Sequence, residues 1–381
     1  MKKLIFQKFL KDAFISFMII GFSISLIIWV IQAVNFLDFV TDDGHSLAVY
    51  FSYTLFSLPK IIHRILPFVF FVSLFFTIAQ YELKNELIIY WNNGVDKITF
   101  INIIIIYSIF ILIFQLIMSL YASPFSQNKA RTFLRDSNVD FFPSLIRPGK
   151  FIDTVSKLTI FIESKDEQGF YKNIFLYDSL DDGSDSVKKN KSQEIHAKKG
   201  TLIDQGTKKI FVLYDGKITN IQNGNINTFK FEKIEFDLTK YSSKTTIYPK
   251  VQEAPSKDIF NCVYYNYKKE LLKFNAKYLR CEVEIINDIH QEFLKRFFKP
   301  LYIPLIALVS SLLIVISKEG KNFSYFKMFL FFSIFLLIVI SEVSLRYVGH
   351  GESRLFAFIL IPVLIFSTIY ILLITKFRNS L

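Results

Sequence analysis

The chain has 381 residues, of which 52% are hydrophobic and 17% aromatic, including 44 phenylalanines. A soluble domain rarely carries that much apolar surface, so the composition indicates an integral membrane protein. The net charge of +12 does not indicate nucleic acid binding, because Lys and Arg lie at the ends of apolar segments and in one polar insert, not in basic stripes interleaved with aromatic residues.

Six apolar segments are long enough to cross a bilayer, which takes about 20 helical residues. They cover residues 13–37, 50–80, 98–121, 298–317, 328–345 and 355–375. A polar insert, residues 123–297, separates the first three from the last three. The predicted fold is therefore an integral membrane α-helical protein with six transmembrane helices and one large inserted domain, and the two membrane parts are residues 1–122 and 298–381.

The distribution of Lys and Arg across the short loops predicts the orientation of these spans. One side of the membrane collects Lys2, Lys3, Lys8, Lys11, Lys84, Lys97, Lys318, Lys321, Lys327, Lys376 and Arg378. The short loops of the other side carry only Arg346 and Arg354. By the positive-inside rule, both termini are expected in the cytoplasm and the polar insert outside it.

Between the second and third spans lies the mixed segment YELKNELIIYWNNGVDK, residues 81–97. We predict a short cytoplasmic helix over residues 82–94, on which one arc is apolar, with Leu83 and Ile88 among its members. Ile89 falls on the opposite arc with the acidic side chains. An interfacial helix anchored by Trp91 is one interpretation and a partner-binding helix is the other.

The polar insert begins with a β region, residues 123–255, followed by a helical connector, residues 256–297. Runs such as LTIFIE and KIFVLY are rich in β-branched and aromatic residues and predict strands. Asp215-Gly216 indicates a hairpin turn. In TFKFEKIEFDL (228–238) the alternation of apolar residues changes phase midway, which predicts a β-bulge. Cys262 and Cys281 lack metal-ligand spacing, and whether they pair is left open.

Catalytic motifs are absent from the sequence: there is no phosphate-binding loop, nucleophile elbow or zinc-binding HExxH. We therefore predict no catalytic residues, no cofactor and no metal site. Glu342 is the exceptional carboxylate within a span, and Arg346 one turn later is its expected ion-pair partner. Since neither a nucleotide site nor a proton relay is evident, the energy for any transport is expected to come from a partner.

Basic side chains recur at the outer ends of the spans. In the second span, Arg64 and Lys60 lie about 24 and 30 Å above the inner end when counted at 1.5 Å per residue. Together they form a predicted collar suited to lipid phosphate, whose members are Lys60, Arg64, Arg296, Lys299, Arg346 and Arg354. The alternative is that each side chain reaches ordinary lipid headgroups.

The order of these parts resembles the LptF/LptG family, the paired permeases of the lipopolysaccharide exporter of Gram-negative bacteria. The resemblance covers essentially the whole chain. Its most specific part is residues 58–97, with two prolines eight apart, Pro59 and Pro67, then Glu86-Leu87 and Gly94 eight residues after that Glu. Residues 121–131 resemble the exit from the third span. Glu292 and Arg296 resemble the Glu-x-x-x-Arg pattern that opens the fourth.

The resemblance implies a fold, a location and partners. The insert is expected to be a periplasmic β-jellyroll-like domain, and the chain a multi-pass protein of the bacterial inner membrane. Expected partners are an LptG-like permease forming a heterodimer, an LptB-like ATPase dimer, LptC-like and LptA-like periplasmic proteins, and lipopolysaccharide. ATPase coupling is expected from Glu82, Glu86, Ile89 and Gly94, and the apolar arc of the same helix is expected to pack against the chain's own spans. Residues 158–178 and 195–216 look more like LptF than LptG.

Three alternatives remain open beside this interpretation. In these alternatives, the chain is an LptG-type subunit of the same complex, a membrane enzyme acting on an envelope lipid, or a sensor whose external domain binds a ligand. One departure from the family also stands out. Small or basic residues usually precede the helix Gly, whereas this chain has Tyr90-Trp91-Asn92-Asn93.

Overall fold

The computed structural model describes residues 2–37, 40, 46–136, 148–155, 158–167, 169–179, 191–204, 209–222, 225–238, 250–270, 274, 276, 279–315, 319–320, 322–348 and 352–378. The chain divides into two compact units. The first, here the helical unit, comprises Met1–Gln32, Phe56–Lys129 and Tyr248–Leu381, and the second, here the β unit, comprises Ala33–Leu55 and Ala130–Ile247.

Helices dominate the described chain. In order they are α1 (Lys2–Asn35), α2 (Leu47–Phe56), α3 (Leu58–Leu83), α4 (Glu86–Asn92), α5 (Lys97–Ile117), a π-helix (Met118–Ala122), α6 (Ser123–Asp136), α7 (Ser256–Tyr267), α8 (Ile286–Phe297), α9 (Tyr302–Ser311), α10 (Phe323–Val348) and α11 (Glu352–Arg378). Six segments within these residues are long and apolar enough to cross a membrane. The predicted six spans are thereby confirmed.

The second span is broken, whereas the sequence predicts one continuous helix over residues 50–80. Its apolar segment runs over Leu47–Leu83, but α2 ends at Phe56 and α3 begins at Leu58. Pro59, in the first turn of α3, explains the break. Proline has no N–H to donate to the carbonyl four residues earlier, and it is tolerated where a helix starts.

The helical unit has its core around α3 and α9. In the spans that contain them, 67% of the most apolar window is buried within the chain, whereas the α1, α10 and α11 spans bury 6%, 22% and 17%. Phe70 and Phe71 of α3, together with Ile303 and Leu305 of α9, lie in one apolar cluster. The three peripheral helices therefore present their apolar sides outward, as lipid or a membrane-embedded partner requires.

A proline inside α11 has its missing hydrogen bond replaced from a neighbouring helix. Pro362 lies within α11 and cannot donate to the carbonyl of Phe358, four residues earlier. The hydroxyl of Tyr302, at the start of α9, lies 3.4 Å from that carbonyl oxygen and donates to it. In hydrocarbon, where no water is present, such a replacement allows a proline to be kept. Pro67 of α3 has a similar arrangement, in which a side chain of another helix donates to the freed carbonyl.

The β unit contains one antiparallel sheet among the described residues. Its strands are β1 (Phe151–Val155), β2 (Leu158–Lys165), β3 (Tyr171–Ser179), β4 (Lys191–Asp204), β5 (Lys209–Gln222) and β6 (Asn225–Asp237), each paired with the next along the chain. One apolar cluster, which includes Ile160, Leu176 and Leu213, covers a single face. The inserted β domain is confirmed, and a jellyroll arrangement stays a prediction.

The hairpin predicted at Asp215-Gly216 is wrong, because β5 continues through both residues. Asp215 has φ 53° and bends the strand without a turn. On either side of it, Tyr214 and Gly216 keep the same register with β4. A Cβ on Gly216 would lie 2.2 Å from the carbonyl oxygen of His196, so this position requires glycine. The Asp-Gly signal therefore marks a bend of the sheet.

The bulge predicted in residues 228–238 is also wrong, although the phase change behind it is real. Tyr214 pairs with Lys233 and Gly216 with Phe231, so no extra residue enters β6. Phe231 and Ile234 nevertheless both pack against the same apolar cluster. Because adjacent side chains of a regular strand alternate between faces, residues three apart share a face only when the strand bends between them.

Candidate functional site: the α4 segment and the basic side chains

The segment between the second and third spans forms a seven-residue helix, α4 (Glu86–Asn92), and the predicted helix over residues 82–94 is too long. Glu82 belongs to the last turn of α3, and the chain then turns at Asn85, which has φ 60°. Gly94 follows α4 with φ 69°. Asn and Gly adopt this left-handed conformation most readily, so the residue types at these two positions explain where α4 begins and ends.

Tyr90 fixes α4 to the first turns of α1. Its side chain is 2% exposed, its hydroxyl donates to the carbonyl of Ile5 at 2.9 Å, and its ring meets Phe100 edge-on at 5.1 Å. Burial, followed by the charges of Glu86 and Asp12, raises the pKa of the Tyr90 hydroxyl above its ordinary value. The hydroxyl therefore stays protonated and keeps its role as donor.

Two further contacts join α1 to this region. Lys8 forms an ion pair with Glu86 at 3.0 Å, with side chains 63% and 25% exposed. The Tyr81 hydroxyl donates to a carboxylate oxygen of Asp12 at 2.6 Å. Lys8 and Asp12 are four residues apart and so share one face of α1. The spacing of Lys8 and Asp12 can be seen in the sequence, but it does not show which segment that face of α1 contacts.

Apolar side chains on and beside α4 are exposed. Leu83 is 50%, Ile88 48% and Ile89 53% exposed; we call these three residues the apolar patch. The exposure of Ile89 matches expectation. Leu83 and Ile88 were expected to pack against the chain's own spans, and that prediction is wrong because a single helical wheel does not continue across the turn at Asn85.

Lys60 and Arg64 lie one turn apart near the start of α3. Arg64 is exposed and Lys60 half-buried, and neither side chain forms an ion pair within the described part of the chain. The Lys60 ammonium lies within electrostatic reach of Arg64, Lys295 and Lys250, with Glu253 as an opposing charge. Lys295 on α8 and Lys250 before α7 were not among the predicted collar residues, so the fold gathers bases around Lys60 that the span positions did not indicate.

Arg296 is not part of that exposed collar. It is 1% exposed, and its Nε donates to a carboxylate oxygen of Glu292 at 2.9 Å. Its terminal nitrogens donate to the carbonyls of Ala254 and Gln252, each at 2.8 Å, and to the hydroxyl of Ser256 at 2.9 Å. The guanidinium is occupied by its own chain, so the predicted lipid contact is wrong for this residue in this structure.

The contacts of Arg296 continue to the end of the third span. The Ser256 hydroxyl that accepts from Arg296 also donates to the carbonyl of Leu120 at 2.7 Å. Leu120 lies in the π-helix Met118–Ala122, where the backbone hydrogen-bond pattern changes. Arg296 therefore links the segment leading into α7 with the helices at the end of the third span and the start of the fourth.

Lys299 and Glu342 form an ion pair between the fourth and fifth spans. Lys299 is buried, so it is not a free phosphate ligand in this structure. The predicted pairing of Glu342 with Arg346 is wrong, because the fold brings a closer cation to the carboxylate. Arg346 is exposed and stays a candidate for lipid contact. The side chain of Arg354 lies outside the described residues.

Cys262 and Cys281 form a disulfide bond that closes a separation of 19 residues. Cys262 is fully buried in a small apolar cluster with Ala254, Ile259 and Ile289. The bond therefore joins α7 to the segment that precedes α8. Among the residues that the structure describes, no group of His, Cys, Asp and Glu is arranged to hold a metal ion.

Comparison with known proteins gives one family match and one relative. The family model described as lipopolysaccharide export system permease LptF/LptG matches residues 8–376. An uncharacterized protein of Rickettsia prowazekii (strain Madrid E) is 23% identical over 245 residues, which are 64% of this chain and 66% of the relative. The match thus spans slightly less than two thirds of that relative's length.

Proposed function

Because the chain belongs to the LptF/LptG family of lipopolysaccharide export system permeases, we propose that it is a permease subunit of an ABC transporter. In this proposal it extracts lipopolysaccharide from the outer leaflet of the bacterial inner membrane and passes it to a periplasmic bridge. The observation that carries the proposal is the family match over residues 8–376, on a chain with six apolar spans and an inserted β-sheet.

We propose that the ATPase binds at α4. The apolar patch offers exposed hydrophobic area beside the acidic Glu82 and Glu86, and such patches rimmed by charge suit protein contacts. Glu86 is the residue expected to meet an ATPase arginine. Because it already pairs with Lys8, the incoming cation replaces or joins an existing partner. Gly94 acts through the backbone, since its positive φ ends the helix there.

The lipid-phosphate site is proposed to be smaller than the predicted collar. Arg296 and Lys299 are occupied by internal carboxylates, which leaves Lys60, Arg64 and Arg346 as the proposed contacts among the described side chains. Arg354 is retained from the sequence alone. In this proposal the Glu292–Arg296 pair stabilises α8, and the Lys299–Glu342 pair joins the segment after α8 to α10.

The remaining partners follow from the family. We propose a heterodimer with an LptG-like permease, with this chain as the LptF-type subunit because residues 158–178 and 195–216 resemble LptF more closely. Outward apolar sides on α1, α10 and α11 are compatible with a second permease in the membrane. The β unit is proposed to pass the lipid to LptC-like and LptA-like proteins in the periplasm.

The disulfide supports placing residues 256–297 in the periplasm, because disulfides persist in oxidising compartments and are rare in the cytoplasm. We expect both cysteines to resist a maleimide reagent in cells until a reductant is added. Labelling of untreated cells, measured as a gel shift, would contradict the periplasmic placement. Lys257→Cys is the matched positive control, because position 257 is exposed on α7 and its added thiol should react without a reductant.

The proposal is tested by purifying the tagged chain from native membranes. We expect an ATP-hydrolysing subunit and a second permease to co-purify in fixed proportion. A chain that purifies alone, from cells whose lipopolysaccharide transport continues after its depletion, contradicts the proposed function. A membrane enzyme or a sensor would give that second result.

A further inference from the structure

Pro67 leaves one backbone carbonyl of α3 without its helical partner. It lies inside α3, and its nitrogen carries no hydrogen to donate to the carbonyl of His63, four residues earlier. His63 and Pro67 are both buried. In a water-free interior, an unpaired carbonyl is costly, so another donor is required.

Gln115 of α5 supplies that donor. Its side-chain nitrogen lies 3.0 Å from the carbonyl oxygen of His63 and 3.0 Å from the Nδ1 of the same residue. The two hydrogens of one amide group therefore serve one residue of α3. The amide cannot be reversed, because its oxygen would then face the carbonyl oxygen. Gln115 is 1% exposed, so water does not compete for these contacts.

The surroundings of Gln115 are irregular and incompletely paired. The π-helix begins at Met118, directly after α5. The amide oxygen of Gln115 and the hydroxyl of Ser119 are buried and have no hydrogen-bond partner among the described residues. These two residues are four apart and so lie on one side of the helix. π-helical turns inside α-helices are frequent at functional sites, which draws attention to this part of the third span.

The position of Pro67 within α3 gives the Gln115 contact its significance. On one side of it, α3 carries Lys60 and Arg64; on the other, it runs to the apolar patch at Leu83. Because a proline inside a helix removes one backbone hydrogen bond, the angle between the helical segments on its two sides is held less strongly than in a regular helix. A side chain that binds the freed carbonyl therefore sets how the two ends of α3 move together.

We propose that Gln115 is a positioning residue that locks α3 at Pro67 to α5, so that movement at the apolar patch reaches Lys60 and Arg64. This role rests on the proposed transport function. The hydrogen bond itself does not, because it follows from the chemistry of proline and the burial of Gln115. The two can therefore be tested separately.

A double-mutant cycle tests the proposal in the complete purified complex. Gln115→Leu removes the donor, and Pro67→Ala restores a backbone N–H for the His63 carbonyl. With ¹³C-carbonyl histidine in this chain alone and the partner subunits unlabelled, the chain's five histidines give five sites. We expect Gln115→Leu to shift the NMR signal of His63. Adding Pro67→Ala should move that signal back toward its hydrogen-bonded position.

The second readout is the amount of lipid released per ATP hydrolysed. We expect Gln115→Leu to lower this ratio by about tenfold, the size expected when a buried carbonyl loses its donor, and Pro67→Ala to restore most of it. Gln127→Leu is the matched control, because the side-chain nitrogen of Gln127 bonds to Ser123 one turn away on its own helix. We expect the effect of Gln127→Leu on the lipid released per ATP to be the same with Pro and with Ala at position 67.

Two results would overturn the proposal: an unchanged His63 signal in Gln115→Leu, or a loss of the ratio that is equally large with Ala at position 67. If the wild-type complex releases no lipid, the proposed transport function fails. The His63 carbonyl signal then decides alone whether Gln115 binds α3 at Pro67.

Discussion

Replacing Arg296 with methionine is expected to lower the free energy of unfolding of the helical unit by about 3–5 kcal/mol, the cost of breaking a buried ion pair by removing one partner. The substitution leaves the buried carboxylate of Glu292 without its closest cation. It also removes the donors to the carbonyls of Gln252 and Ala254. Methionine fills similar volume, so the loss arises from unpaired polar groups and not from a cavity.

Two measurements check this effect: thermal unfolding in detergent, and limited proteolysis within residues 250–256. Lys295→Met is the matched control, because Lys295 contacts the same carboxylate at 3.3 Å but is partly exposed; we expect a loss below about 1 kcal/mol. Combining Arg296→Met with Glu292→Leu should recover part of the stability. Equal losses of stability in the two single variants would contradict the stabilising role of the Arg296 hydrogen bonds and ion pair.

Replacing both Ile88 and Ile89 with aspartate is expected to weaken ATPase binding by about thirty- to hundredfold. Both side chains are about half exposed in the isolated chain, and burying the remaining area of two isoleucines contributes roughly 2–3 kcal/mol. Folding should be unaffected, since neither side chain belongs to the core of the helical unit. Co-purification of the ATPase with the tagged variant measures the effect.

The matched control for this double variant is Asn92→Asp. Asn92 is exposed at the end of the same helix, so the control adds negative charge without removing apolar area. We expect it to retain the ATPase. If the isoleucine variant retains the ATPase equally well, the apolar patch is not the docking surface. If both variants lose it, charge and not apolar burial governs the contact.

Hydropathy was sufficient to predict the six spans, because the bilayer imposes span length. Runs of β-branched and aromatic residues were sufficient to predict the inserted β domain, because they favour strands. The ends of α4 could not be read in the same way. A helical wheel assumes one continuous helix, and the left-handed backbone at Asn85 interrupts it. The hairpin prediction at Asp215-Gly216 was wrong for a related reason. The same two residue types are found both in hairpin turns and at bends within a strand.

The contacts of the basic side chains could not be predicted from sequence patterns. Position along the spans suggested a shared role for Lys60, Arg64 and Arg296, but it does not show that Arg296 is enclosed by carbonyls 42 and 44 residues away in the chain. Local spacing suggested Arg346 as the partner of Glu342, whereas Lys299 from another span takes that place. Ion-pair partners in a helical bundle depend on packing between helices, which local spacing does not encode.

The central claim is that this chain transmits the work of a partner ATPase to lipopolysaccharide. The most direct measurement is ATP-dependent release of lipopolysaccharide from proteoliposomes containing the purified complex. We expect release that requires ATP and this chain, and that falls with Ile88→Asp plus Ile89→Asp but not with Asn92→Asp. Release that continues at full rate when this chain is omitted would contradict the account.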